Sequence, residues 1–377
     1  MIPSTRWWRL LDRADLPCVG GCAYLNAGTN GPLPRAAADA MTAEIEAAFR
    51  SPRIGARAFE RFWEVRGRAR EAAARRLGAP AEEVAVTTST SQGVGLVTAG
   101  LDWEFGDEIV TTTEEHPGVL GPLDELRARH GAVIRAVPAD EVVASIGPTT
   151  RMVALSHVLW TTGRILDLPA IAEAVHAVGA LLLVDGAQSA GQLDLRMEET
   201  GADFYAISGQ KWLLGPNGSG ALWVHPRHHD RLRPATPSYL TYADGIVGNM
   251  RPGAARFDPG TIDLAALAGL AAAVEWVDGL DGGWQAWLDL GRERIATARE
   301  RLAAAGIPAV DPPGGSTGLV AFEVPGHDPV DVVPALAERS VLLRYIPETP
   351  YLRLSVGPWT SDADLDALIE GIAAIRG

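Results

Sequence analysis

Between about residues 84 and 225, short apolar runs alternate with amphipathic stretches, and this alternation most narrows the folds open to the chain. EVAVTT (83–88) reads as a strand, followed by the helix-like SQGVGLVTAGLDW. DEIVTTT, a helix over PLDELRARHG, and AVIRAVP come next. RMVALS (151–156) is a strand, LPAIAEAVHAVG a helix and ALLLVDGAQ (180–188) a strongly apolar strand, and DFYAIS and GALWVH close the series. Strands this apolar need cover on both faces, which predicts an α/β fold with a mostly parallel sheet between helices. In such sheets ligands bind beyond the carboxyl ends of the strands. Residues 261–310 carry Ala, Leu and Arg at helical spacing, including GRERIATARERLAAAG. The tail returns to strands in GLVAFEVP, VLLRYI and YLRLSV and ends in the helix DADLDALIEGIAAIRG. This predicts a large domain over 20–260 and a smaller α+β domain over 261–377, joined by an arm at 1–19. DPPGGSTG (311–318) reads as a surface loop.

The net charge of −14 repels phosphate backbones and argues against nucleic-acid binding. No run approaches 18 uninterrupted apolar residues, so no membrane span is expected. The charged start, MIPSTRWWRLLDRADL, lacks the apolar core of a signal peptide, and two cysteines (Cys18 and Cys22) cannot build a disulfide framework. Both features fit a cytoplasmic protein with reduced thiols. Of the 33 basic residues one is lysine, Lys211, and the other 32 are arginine.

Lys211 follows the strand DFYAIS and a Ser-Gly-Gln turn and precedes a glycine-rich loop. A partly desolvated lysine at a strand end can condense with an aldehyde; the alternative is a surface lysine that happens to be unique. Asp185 ends the strand ALLLVD, with Gln188 three residues on. A carboxylate there needs a cation or donor, which the ring nitrogen of pyridoxal 5′-phosphate (PLP) would supply; a helix-capping role also fits locally. His116 in TTTEEHPG lies at the same sheet edge and could stack on a flat ring and move protons. TTSTSQG (87–93) opens a helix with hydroxyls and a glycine, a phosphate cradle in the making.

With these elements together, the chain from YLNAGTNGPLP (24–34) to YLRLSVG (351–357) resembles the class V aminotransferases, the fold-type I PLP enzymes that include the cysteine desulfurases. It is most similar to the cysteine/cystine C–S lyases, through GLDWEFGDEI, EEHPGVL, LSHVLWTTGRILDL, VDGAQSAG, SGQKW-to-GP and RFDPGT. The resemblance implies a seven-stranded type of sheet and a homodimer with shared sites. It implies that Lys211 carries the cofactor, Asp185 pairs with the ring nitrogen, Gln188 bonds the ring hydroxyl and His116 stacks on the ring. Thr90, Ser91 and Ser208 would hold the phosphate, Gln210 would adjoin the cofactor, and Thr261 would reach the phosphate of the neighbouring subunit. Arg353 would grip the substrate carboxylate, for which a guanidinium is suited, with Arg344 as the second arginine of the lyases. Asn26 and His157 complete the expected substrate contacts, although His157 reads equally as a structural histidine.

The departures bear on the reaction. Residues 325–352 contain no cysteine, so a protein-bound persulfide of the desulfurase kind is disfavoured. Gln210 stands where desulfurases and lyases usually have histidine, and glutamine cannot shuttle a proton near neutral pH. Thr161 stands where the lyases tend to have Asn. The expectation is β-elimination on cysteine, cystine or a related conjugate, giving pyruvate, ammonia and sulfide or persulfide. The alternatives are an epimerase like the isopenicillin N epimerases, another Cα-deprotonating enzyme, or a cofactor-free scaffold of the same fold. HPRHHD (225–230) reads as a solvated loop with no metal site. Trp160 and Trp212 read either as pocket walls or as core.

Overall fold

The alternating pattern is laid out as expected in a computed structural model that describes residues 11–315 and 317–377. Its strands are β1 (Ala23–Tyr24), β2 (Val84–Thr87), β3 (Glu108–Thr112), β4 (Val133–Val137), β5 (Thr150–Ser156) and β6 (Leu181–Asp185). There follow β7 (Phe204–Ser208), β8 (Gly220–Val224), β9 (Leu319–Phe322), β10 (Val341–Leu342), β11 (Arg344–Tyr345) and β12 (Leu352–Ser355). Strands β2 to β8 form one sheet in the order β2-β8-β7-β6-β5-β3-β4. Only β8 runs against its neighbours; every other pairing in the sheet is parallel. This is the mostly parallel α/β sheet that the sequence predicts.

Its strands are apolar throughout because both faces are covered. Leu182, Val184, Tyr205 and Ile207 point into one core, whereas Leu181, Leu183, Phe204 and Ala206 point into the other. That two-residue alternation is the pleat of a strand buried on both sides. The parallel strands, and β2 with them, end at one edge. The residues at and just past those ends are the polar segments the sequence singles out: TTST from the last residue of β2, TEEH after β3, SH from the last residue of β5, DGAQ from the last residue of β6 and SGQK from the last residue of β7.

The C-terminal unit carries a three-stranded antiparallel sheet, β11-β12-β9, and the parallel pair β1-β10. VLLRYI, read as one strand, is two: Val341–Leu342 pairs with β1, and Arg344–Tyr345 pairs with β12. Its core is built by Ala23, Leu25, Ile295, Leu302, Phe322, Leu336, Leu354 and Ile372. Helix Leu264–Asp278, assigned by sequence to this unit, packs on helices Arg35–Arg50 and Ala56–Leu77, and its Leu270 and Val274 share the large-domain core. A helix with apolar residues on all sides is a buried one, which is why its composition misleads about the boundary. The N-terminal arm is anchored by Arg13, which donates to Asp364 (2.8 Å) and to the Trp359 carbonyl (3.0 Å). Residues 1–10 of the expected arm lie outside the described residues. Among the described residues no helix is long and apolar enough to cross a membrane.

Asp258 of the FDPGT segment ties the first helical pair to the sheet. It accepts from Arg66 Nη2 (2.9 Å), Arg70 Nη2 (2.8 Å) and the Val86 amide (3.0 Å). Arg66 and Asp258 are almost wholly buried. Removing the carboxylate strands a buried guanidinium, so Asp258→Ala should cost about 3–5 kcal/mol, measured by urea unfolding. A cost below ~1 kcal/mol would show that the arginines find another partner.

Candidate active site

Lys211 lies in the turn that follows β7, in a backbone held tightly by the N-terminal segment. Gly31 donates its amide to the Gln210 carbonyl at 2.7 Å, and a Cβ at Gly31 would come within 2.0 Å of the Lys211 carbonyl. Three residues after the lysine, Leu214 holds a positive φ of 59°, rare for a branched side chain. Lys211 Nζ makes no hydrogen bond or ion pair among the described residues. Burial lowers its pKa to about 8, with Arg353 and Arg344 acting in the same direction against Asp185.

Asp185, the last residue of β6, is 6% exposed and accepts one hydrogen bond, from the Ala187 amide at 2.7 Å. Burial raises its pKa, and Lys211 and the Ala187 amide oppose the shift. The capping alternative does not describe it, since the amide it takes belongs to a turn rather than to a helix. His116 caps helix Pro117–His130: its Nδ1 accepts from the Gly118 amide at 3.0 Å. Burial and the cations Lys211, Arg344 and Arg353 lower its pKa to about 4. The ring is therefore neutral at pH 7, with its proton on Nε2.

At the end of β2, Ser89 caps helix Thr90–Gly100 by accepting from the Gln92 amide at 3.1 Å. Thr90 Oγ1 and Ser208 Oγ are 2.7 Å apart and buried, whereas Ser91 is exposed. A Cβ on Gly118 would come within 2.6 Å of Ser91 Oγ, so the starts of two helices converge here. Hydroxyls gathered at a helix N-terminus favour an anion.

Arg353 on β12 is fully buried, and burial together with Arg344 lowers its pKa to about 9, so it remains a cation at pH 7. Its Nη1 donates to the Trp160 carbonyl at 2.6 Å, and its Nε and Nη2 find no partner. Arg344 is opposite it in the β11–β12 register. The two guanidiniums lie 5.3 Å (Arg344) and 5.9 Å (Arg353) from the Trp160 ring, and His116 meets that ring edge-on at 5.3 Å. Trp160 thus joins the two arginines to the histidine. Trp212 is core: it is 1% exposed, stacks on Trp359, and donates to Gln188 Oε1 at 2.8 Å.

The amide of Gln188 is already engaged, with its Nε2 donating to the Gly28 carbonyl at 2.9 Å and one N–H left over. Asn26 accepts from Thr29 Oγ1 within the same N-terminal segment and bridges to Ser355. His157 Nδ1 lies 2.7 Å from the Tyr205 hydroxyl, which in turn contacts Ser189, and burial lowers the pKa of His157 to about 4. Thr161 donates to Glu114 at 2.6 Å. Thr261 is exposed and bonded to the Tyr239 hydroxyl, apart from these groups. HPRHHD is more than a solvated loop: His228 is 5% exposed, and with Arg227 and His176 it surrounds the buried Asp203. Burial opposes ionisation of Asp203, yet these bonds and the Leu182 amide hold its carboxyl well below the usual range. No group of three or more His, Cys, Asp or Glu among the described residues could hold a metal. Sequence reasoning missed Glu115, a buried carboxyl beside His116, for which the run EEH was the available signal.

A buried carboxylate with one amide partner, a free amine, a neutral imidazole and a hydroxyl-rich helix start together make a site for a flat, anionic aldehyde. The aminotransferase class-V family model matches residues 23–349. The chain belongs to that family. It is 31% identical over 345 residues to a probable cysteine desulfurase of Methanothermobacter thermautotrophicus, covering 86% of this chain and 84% of that one. It is 30% identical to the isopenicillin N epimerase of Streptomyces clavuligerus, covering 94% of each. Among solved structures, the cystine C–S lyase C-DES in complex with its reaction product cysteine persulfide superposes with a TM-score of 0.89 at 28% identity, over 95% of this chain and 99% of that one. The fold is that of the fold-type I enzymes, and PLP is the cofactor.

Only an unprotonated amine attacks an aldehyde. With Lys211 held at about 8, capture of PLP by the apoprotein should accelerate about tenfold per pH unit below that value and level off above it. Stopped-flow absorbance measures this, and a midpoint near the ordinary lysine value of 10.5 would contradict the geometry.

Proposed function

We propose that the protein is a PLP-dependent C–S lyase that performs β-elimination on cystine or a related cysteine conjugate. The observation that carries this reading is the pair of arginines beside the lysine–aspartate edge, with no thiol near them. Arg353 has two buried nitrogens, Nε and Nη2, without partners, and Arg344 shares its aromatic neighbour. Cys18 and Cys22 lie at and just past the end of the N-terminal arm, where Cys22 contacts the Cys18 carbonyl and feels Asp364 and Arg13. A leaving group that departs as its own persulfide needs no enzyme sulfur.

In this reading PLP, when bound, supplies an electron sink for the carbanion at Cα. Lys211 would hold it, Asp185 would face the ring nitrogen, His116 would cover the ring and the Thr90–Ser91–Ser208 cluster would take the phosphate. Gln188, with one N–H left over, would reach the ring hydroxyl, while Gln210 orients the turn through its carbonyl. Arg353 and Arg344 bind the substrate carboxylate, fixing Cα over the Lys211 amine. That amine, freed once the substrate's amino group has taken its place, would take the Cα proton, and as Cα=Cβ forms the Cβ–S bond would break with its electron pair leaving on sulfur. Water then hydrolyses the released product to pyruvate and ammonia. His116, neutral with its proton on Nε2, and Gln210 are poor acids, so the departing sulfur is best one stable as an anion, such as a persulfide.

The full-length match to an isopenicillin N epimerase supports a second reading, reprotonation at Cα. Proton NMR in heavy water separates the two: pyruvate from cystine supports elimination, whereas deuterium at Cα without pyruvate supports the epimerase reading. Lys211→Ala should abolish either turnover. Arg353→Ala should lower kcat/KM by about 100-fold or more, with a rise in KM, because a charged partner of the carboxylate is lost.

We also infer a homodimer. Ile45, Phe49, Ile54, Phe59 and Trp63 lie exposed on and between the first two helices, and Tyr239, which bonds Thr261, is exposed together with Ile246 and Val247 of the same loop. Apolar side chains grouped in this way suit a second copy, which would bring Thr261 toward its partner's phosphate cradle. Sedimentation equilibrium should give a dimer, and a monomer that retains full activity would overturn the shared site.

A further inference from the structure

The carboxyl group of Glu115 has no part in the reading above, yet it is the most thoroughly bonded acid at the sheet edge. It is 4% exposed. Its Oε1 accepts from Thr112 Oγ1 (2.9 Å) and from the Ser156 amide (2.9 Å), and its Oε2 accepts from Ser156 Oγ (2.6 Å). Thr112 ends β3 and Ser156 ends β5, two neighbouring strands. Ser156 is in turn paired in register with Asp185 on β6. The side chain therefore fastens the turn that bears His116 to the strand alongside Asp185.

We propose that Glu115 is a positioning residue of the cofactor site, which sets the place of the His116 imidazole and, by its charge, strengthens the hold of Asp185 and its ring-nitrogen partner on their shared proton. The proposal rests on the reading of His116 and Asp185 given above. Three donors converge on two oxygens, a set that suits a carboxylate better than a neutral amide. Burial raises the Glu115 pKa to about 7, the Ser156 bonds oppose this, and Asp185 adds to it. Of the titratable groups, Asp185 on β6 acts on it; Glu114 and His116 share its turn, and His157, which bonds Tyr205, follows Ser156. Lys211 acts on Asp185 and His116. The strands that lead to Glu115 and Asp185 flank β5; the two carboxylates disfavour each other's ionisation, so an ionised Glu115 raises the proton affinity of the Asp185 pair.

The test uses the PLP-loaded protein and reads the absorbance of the bound cofactor against pH. Glu115→Gln keeps the shape and removes the charge, and its spectral midpoint should fall by about one pH unit. Glu115→Ala also releases the turn, so PLP affinity should drop about tenfold and the Gly118 amide should exchange with solvent faster in the apoprotein. A wild-type spectral midpoint in Glu115→Gln overturns the proposal, even if that variant melts earlier. Should Glu115→Ala fail to fold, Glu115→Gln decides alone. His116→Ala separates the role of the imidazole from that of Glu115. If it leaves the spectrum and affinity unchanged, the stacking reading fails. If it changes them while both Glu115 variants match wild type, only the role of Glu115 fails.

Discussion

A lysine amine is a useful nucleophile near neutral pH only where keeping its proton is costly, and the rest of this structure is arranged around that cost. Burial and two arginines oppose the charge on Lys211, while Asp185 alone favours it. Because Asp185 is itself buried with a single amide partner, neither group is satisfied by the protein alone. The sheet order places both at the ends of adjacent strands, β6 and β7, so the mismatch is concentrated at one edge. A fold that paired them in a tight salt bridge would be more comfortable and chemically idle.

The N-terminal segment closes this edge from above. Gly28 lies against Arg353 and Ser355, with a Cβ there falling 2.9 Å from either, and Gly31 lies against the Lys211 carbonyl. Gln188 reaches up to the Gly28 carbonyl and across to Trp212, linking the segment to the strand that bears Asp185. Elements from both ends of the chain thus meet over the lysine turn. The arginines arrive from the C-terminal unit, so they and the Lys211 amine are contributed by different layers of the molecule.

Much of this was legible in the sequence. The sheet was readable because two-sided burial leaves continuous apolar runs, and Lys211, Asp185 and His116 because each follows such a run. Less readable were features that depend on contacts between distant segments. Helix Leu264–Asp278 looks like part of the C-terminal unit, but its all-round apolar surface is buried against the first two helices. Trp160 and Trp212 are alike in sequence; only the fold sends one to the arginines and the other to the core. Glu115 was hidden because a glutamate beside another glutamate reads as surface, and its burial depends on hydroxyls from two strands.

The arginine-for-lysine composition has a practical consequence at this site. With Lys211 the only lysine, its Nζ is the only side-chain amine in the chain. Protein grown with nitrogen-15 lysine would carry its side-chain isotope at the reactive atom and at no other amine. One resonance would then report the protonation of that amine and any bond it forms, without assignment of the remaining 376 residues.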